Sequence, residues 1–187
     1  MTLAPQGGLI PAESARRIRL VVLDVDGVLT DAGVYVGLRS GEEFKRFDIQ
    51  DGLGMKLLEQ AGIKVLIVSG RYSEATQLRA EELGIECHQD NDAQKLPSVR
   101  MVMERLDLDW NEVAMVGDDI PDVAVMRQAG LKVAVANAVP LVAAMADWRT
   151  VREGGHGAVR EFCDALLLAR GDLERVVEAY VAERSLP

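Results

Sequence analysis

Short apolar runs separated by amphipathic stretches recur along the chain. Leu20–Asp24 (LVVLD), Lys64–Val68 (KVLIV), Val113–Val116 (VAMV) and Leu131–Val135 (LKVAV) are rich in Val, Leu and Ile, with no polar alternation. That is the pattern of strands covered on both faces, as in a parallel sheet. Helical stretches fall between them: Leu53–Gln60 ended by Gly62, a helix from Ser73 as N-cap to Leu83 with Gly84 as its stop, Leu96–Leu106, Pro121–Gln128 with Pro121 in the first turn, and Val139–Met145. Glu86–His88 and Trp148–Val151 read as short strands, and Ala158–Ala169 and Leu173–Arg184 as C-terminal helices. Strand and helix in alternation predict an α/β fold: a Rossmann-like three-layer α/β/α parallel sheet.

One stretch breaks the alternation. Between Ala32 and Gly52, two short extended runs, Val34–Val36 and Glu43–Phe47, flank Leu38-Arg39-Ser40-Gly41. They read as a small inserted β-hairpin, solvent-exposed or buried in an oligomer. Residues 1–17, with Gly and Pro early on, are expected as a flexible lead to a single domain over 18–187.

Composition narrows the function. Lys plus Arg number 21 and Asp plus Glu 30, a net charge of −9, which argues against nucleic acid as partner. The two cysteines, Cys87 and Cys163, and the two histidines supply neither a disulfide framework nor a zinc set. No apolar run long enough for a membrane helix and no signal-peptide pattern occur, so no membrane partner and a cytoplasmic location are expected.

Polar chemistry gathers at strand ends. The first run ends in Asp24 and Asp26, with Gly27 turning the chain; the second in Ser69-Gly70-Arg71; the third in Gly117-Asp118-Asp119, with Asp122 close behind. Lys95 precedes a helix. In a parallel sheet these carboxyl ends share one edge, where open α/β sheets bind ligands. Were strand geometry to continue, Asp24 and Asp26 would share a face. Asp24, Asp118 and an oxygen near Asp26 suit Mg²⁺, Ser69, Gly70 and Lys95 suit a phosphoryl group, and Asp26 suits proton transfer.

The ordered motifs DxDGxLTD, SGR, a following Lys and GDDxxD resemble the haloacid dehalogenase-like hydrolases from about Ile18 to Ala169. The resemblance implies that Asp24 is a nucleophile that becomes phosphorylated and Asp26 the general acid/base. It makes Ser69 and Lys95 phosphate ligands and Asp118 a Mg²⁺ ligand, with Asp119 or Asp122 behind it. The gaps between motifs are too short for a cap domain. A capless chain of this length with such a hairpin resembles the group that hydrolyses 3-deoxy-D-manno-octulosonate 8-phosphate, a phosphorylated sugar acid, as homotetramers. The tail Gly154–Glu161 (GGHGAVRE) is similar to that group's Gly-rich segment. Arg71 would bind the sugar carboxylate through parallel hydrogen bonds. Leu53 stands where that group has an aromatic in a DGxG turn, and HQDNDAQ before Lys95 is more acidic than usual. The alternatives are a nine-carbon 3-deoxy-keto acid 9-phosphate as substrate and, outside enzymes, a receiver-type phosphoaspartate signalling domain.

Overall fold

The computed structural model describes residues 8–37 and 43–185. Its strands are β1 (Leu20–Leu23), β2 (Tyr35–Val36), β3 (Glu43–Phe44), β4 (Lys64–Ser69), β5 (Glu86–Gln89), β6 (Val113–Gly117), β7 (Leu131–Ala134) and β8 (Trp148–Arg149). The helices are α1 (Ala12–Arg17), α2 (Ile49–Gln60), α3 (Glu74–Leu83), α4 (Lys95–Leu106), α5 (Val123–Met126), α6 (Pro140–Met145), α7 (Ala158–Arg170) and α8 (Leu173–Arg184). Six strands form one parallel sheet in the order β5-β4-β1-β6-β7-β8, and β2 and β3 pair antiparallel as the separate hairpin. This is the three-layer α/β/α arrangement expected, with the small hairpin and, among the described residues, no inserted cap.

The uniform apolar runs split by strand periodicity into two cores. Val21, Leu23, Val65, Ile67, Ala114 and Val116 face the layer holding α1, α2 and α7. Leu20, Val22, Leu66, Val68, Val113 and Met115 face the layer holding α4 and α5. Successive strand residues point to opposite faces, so a run apolar throughout serves both layers. Both cysteines are free; Cys163 is wholly buried in the first core and Cys87 half-buried, and burial pushes both thiols up.

Several boundaries differ from expectation. Residues 10–17 are not a flexible lead: α1 packs on α7, Ile10 and Ala15 are buried, and Arg170 donates to the carbonyls of Ala15 and Ile18 at 3.1 and 2.9 Å. Helix α2 starts at Ile49, capped by the Asp48 carboxylate accepting from Gln50 N at 2.8 Å. The DGLG stretch is therefore helical rather than a turn. The helix expected over Pro121–Gln128 is a 3₁₀ turn, Ile120–Asp122, followed by the single-turn α5. Ser73 takes the N-cap position of α3, but its hydroxyl donates to Glu43 Oε1 at 2.9 Å instead of capping. The expected hairpin tip, Leu38–Gly41, lies outside the described residues. Among the described residues no helix is long and apolar enough to cross a membrane.

Candidate active site

β1 lies at the centre of the sheet, where the chain goes outward through β4 and β5, then returns through β6 to β8 on the other side. Its carboxyl end is thus the switch point at which such sheets bind ligands. Asp24 N still donates to Val116 O at 3.2 Å, but strand geometry stops there. The amides of Leu29 and Thr30 both turn back onto Val25 O at 3.0 Å. Asp24 and Asp26 therefore do not share a continuing strand face. Asp24 is buried, and Asp26 stands about one-third exposed at the rim. Gly27, at φ +102°, allows the turn, and a Cβ there would lie 2.0 Å from Asp118 Oδ2.

Lys95, the first residue of α4, points into this edge with 3% of its side chain exposed. Its Nζ donates to Asp24 Oδ1 and to Asp122 Oδ1, each at 2.5 Å. Asp122 Oδ2 accepts from the amides of Asp118 and Asp119 at 2.9 and 3.3 Å, so both Asp122 oxygens are engaged. That pull holds the β6 loop closed and accounts for the 3₁₀ turn there. Gly117 must be glycine for the same reason: a Cβ would meet the Asp122 carboxylate at 2.5 Å. Asp119 is exposed and accepts from Ile120 N at 2.7 Å. The two residues that sequence left unresolved are thereby separated: Asp122 belongs to the buried cluster and Asp119 does not.

Asp24, Asp118 and Asp122 each offer an oxygen within 4.8 Å of the others, and Asp118 Oδ1 is buried with no hydrogen-bond partner among the described residues. Burial first, then the neighbouring carboxylates, hold the carboxyls of Asp24 and Asp118 above their usual range. Burial works against the Lys95 ammonium, but Asp24 and Asp122 outweigh it and tighten its hold on the proton. A surplus of buried negative charge with an unpartnered hard oxygen fits a divalent cation. Asp24 and Asp118 have oxygens to spare for it; Asp122 does not. The side chain of Asp26 is not in this group.

A second network lies beside the first. Asp26 Oδ1 is 2.7 Å from Lys45 Nζ and 3.6 Å from Arg71 Nη2. Arg71 forks onto Glu43 at 2.5 and 3.2 Å, not onto its near neighbour Glu74. Along the hairpin's second arm, Glu43, Lys45 and Phe47 are shielded while Phe44 and Arg46 are exposed. The alternation is regular but does not follow hydrophobicity: Glu43 and Lys45 point inward with Phe47, and Phe44 points outward with Arg46. An alternation sought in hydrophobicity misses it; counting every second residue from Glu43 finds Lys45.

A cavity of about 260 Å³ opens on both networks, lined by Asp24, Asp26, Gly70, Arg71, Lys95 and Asp118 among others. Ser69 does not line it: it is buried, and its hydroxyl donates to Arg71 O at 2.8 Å. Ser69 and Gly70 also precede α3 by several residues, so they are not at its N-terminus. Asn137, absent from the sequence reading, ties the site together. Its Nδ2 donates to Gly27 O at 3.0 Å and its Oδ1 accepts from Gly154 N at 2.7 Å. The Gly-rich tail thus clasps the β1 loop, with Gly155 N donating to Val28 O at 3.1 Å and Arg46 donating to Gly155 O. Arg160 and Glu161 serve the clasp through backbone contacts: Arg160 N donates to Asp51 Oδ1 at 2.7 Å, and Glu161 accepts from the amides of Val151 and Arg152.

The chain has relatives among known proteins. The family model for haloacid dehalogenase-like hydrolases matches residues 53–130. The 3-deoxy-D-manno-octulosonate 8-phosphate phosphatase of Escherichia coli strain K12 is 44% identical over 160 residues, 86% of this chain and 85% of that one. The chain belongs to the haloacid dehalogenase-like hydrolase family. Solved structures narrow the likeness. The 3-deoxy-D-manno-octulosonate 8-phosphate phosphatase of Yersinia pestis matches with a TM-score of 0.83 at 42% identity, covering 87% of this chain and 88% of its own. The Moraxella catarrhalis phosphatase of the same name, solved with magnesium, phosphate and KDO, matches with a TM-score of 0.85 at 35% identity, covering 90% and 97%. Membership in this family displaces the receiver-domain alternative.

Proposed function

We propose that this protein is a Mg²⁺-dependent phosphatase that hydrolyses 3-deoxy-D-manno-octulosonate 8-phosphate through a phosphoaspartate. One observation carries the chemistry: Lys95 holds Asp24 at 2.5 Å, beside the unpartnered Asp118 Oδ1, on a cavity that Asp26 also lines. Asp24 attacks phosphorus, the bond from phosphorus to the sugar oxygen breaks, and Asp26 delivers a proton to that oxygen. Water then attacks the phosphoaspartate while Asp26 takes its proton back, the bond from phosphorus to Asp24 breaks, and inorganic phosphate leaves. The Lys95 ammonium keeps Asp24 aimed and offsets charge on the transferring group. Asp24 and Asp118 would hold Mg²⁺, which when bound neutralises charge between the carboxylates and the phosphoryl oxygens.

The remaining assignments rest on placement. Gly70 lines the cavity and offers its backbone to the phosphoryl group. Ser69 would join it by turning its hydroxyl away from Arg71 O. Arg71 is at the rim with 41% of its side chain exposed, and a substrate carboxylate would compete with Glu43 for its fork. That all the relatives named above are octulosonate 8-phosphate phosphatases supports this sugar acid over the nine-carbon one. Val34, Tyr35, Val36 and Phe44 are exposed, so the hairpin carries apolar surface, which supports a homotetramer assembled through it. The composition and the absence of a membrane-crossing helix among the described residues support a cytoplasmic setting.

The test is phosphate release with Mg²⁺ from the eight-carbon and nine-carbon sugar-acid phosphates and from p-nitrophenyl phosphate, with Asp24→Asn as control. Preference for the eight-carbon substrate, lost in Asp24→Asn, is expected. Turnover of the aryl phosphate alone would remove the substrate assignment and leave the chemistry.

A further inference from the structure

We propose that Lys45 is the positioning residue for Asp26, which makes the inserted hairpin a working part of the active site. The inference rests on the reading of Asp26 as the proton-transferring group and goes beyond it by naming what aims that group.

Lys45 has 1% of its side chain exposed, although it follows a two-residue strand at the molecule's surface. A buried ammonium persists only when paired. Its closest anion is Asp26 Oδ1, at 2.7 Å; Glu43 Oε1 is farther, at 3.8 Å. Glu43 is committed elsewhere, to Arg71 at 2.5 and 3.2 Å and to the Ser73 hydroxyl at 2.9 Å. The Thr76 hydroxyl, in the first turn of α3, accepts from Lys45 Nζ at 3.3 Å. Lys45 is therefore fixed from α3 and from the hairpin, and through it so is Asp26.

Asp26 needs such a support. It sits in the turn after β1, outside any strand ladder, and among the described residues its other cation is Arg71 at 3.6 Å. Without Lys45, the carboxylate is free to rotate toward Arg71, into the fork that Glu43 now fills and away from the scissile oxygen. Misplacing a reacting group by about 1 Å costs roughly 10²-fold in rate. Lys95 does not substitute, because both its short contacts go to Asp24 and Asp122.

The test exploits leaving groups. An alkyl sugar oxygen needs a proton as its bond to phosphorus breaks; p-nitrophenolate does not. Lys45→Met, Lys45→Arg and Thr76→Val are compared with the parent protein in single turnovers with enzyme in excess, so that only phosphoryl transfer to Asp24 is read. For Lys45→Met, release of the sugar acid is expected to slow about 30- to 100-fold, while p-nitrophenolate release changes less than about 3-fold. KM is expected to stay within about 3-fold, since the loss is confined to the reacting geometry. Lys45→Arg, which keeps the charge, should recover part of the loss. Equal slowing of both substrates, a change in KM alone, or no slowing overturns the proposal. Should Lys45→Met fail to fold, as read by circular dichroism, the same split is required of Thr76→Val, smaller in size, and its absence there overturns the proposal equally. Asp24→Asn separates the parent reading: if it still releases p-nitrophenolate in a single turnover, the phosphoaspartate chemistry fails and this proposal falls with it. If Asp24→Asn is inert and the leaving-group split is absent, only the role of Lys45 fails.

Discussion

Two carboxylates in this molecule share a signature. Asp118, after β6, and Asp51, in the first turn of α2, are both buried, and each has one oxygen without a hydrogen-bond partner among the described residues. Burial raises both above the usual carboxylate range, Asp51 to about 7. Their surroundings differ. Asp118 faces Asp24, Asp122 and Lys95 on an open cavity. Asp51 is enclosed where α2 crosses α7; its Oδ1 accepts from Arg160 N at 2.7 Å at the start of α7, and among the described residues it belongs to no group of three metal-capable side chains. Burial and a raised pKa mark groups under electrostatic stress. Convergence of several groups on an opening is what marks a site.

The comparison is sharpened most by deleting charge at each position. Asp118→Asn is expected to lower phosphatase turnover by at least about 10³-fold while the protein stays folded, and Asp51→Asn by no more than about 3-fold. Comparable losses in kcat would erase the distinction. Gly27→Ala probes the same edge by sterics: at φ +102° its Cβ would strike the Asp118 carboxylate. A loss of about 10²-fold in turnover is expected with little change in far-ultraviolet dichroism.

Next comes ligand linkage. Mg²⁺ at about 100 times its dissociation constant should stabilise the parent protein and Asp51→Asn alike by about 2.7 kcal/mol, and Asp118→Asn far less. Thermal melts with and without Mg²⁺ measure it, and equal stabilisation of all three would place the ion elsewhere. A chelator should abolish turnover in the parent.

The smallest effect is a pH dependence. The carboxyl of Asp51 is raised from 3.8 unfolded to about 7 folded, so the folded state prefers its protonated form. Its stabilising contribution is complete below the unfolded value and is lost as pH rises through the folded one. Over roughly pH 5 to 8 that amounts to a loss on the order of 2 kcal/mol. Asp51→Asn should remove that slope, leaving its amide oxygen to accept from Arg160 N. Denaturant titrations at both ends of the range, with Mg²⁺ present to hold the other site constant, read the difference.

How far the sequence reached can be followed residue by residue. The four apolar runs each fall on a parallel strand, and helix Leu173–Arg184 has the predicted bounds. Asp24, Lys95 and Asp118 meet as their motifs implied. The misses have local causes. Asp24 and Asp26 would share a face had strand geometry continued, but β1 ends at Leu23 and the loop amides fold back on Val25 O. Ser69, expected to face a phosphoryl group, has its hydroxyl closed on Arg71 O, a contact its motif does not announce. Lys45 was missed because its alternation with Glu43 and Phe47 does not follow hydrophobicity, and Asn137 because a lone asparagine carries no pattern.

By itself the sequence determined the order of strands and helices, and hence the gathering of Asp24, Ser69 and Asp118 at one edge. Hydrophobic periodicity is local, and parallel strands present all their carboxyl ends together. Which oxygen of Asp118 is left free, which aspartate Lys95 bridges across 71 residues, and which cation reaches Asp26 were decided only by tertiary structure. Buried charges pair over a few ångströms, and those distances come from how loops pack against one another, not from spacing along the chain.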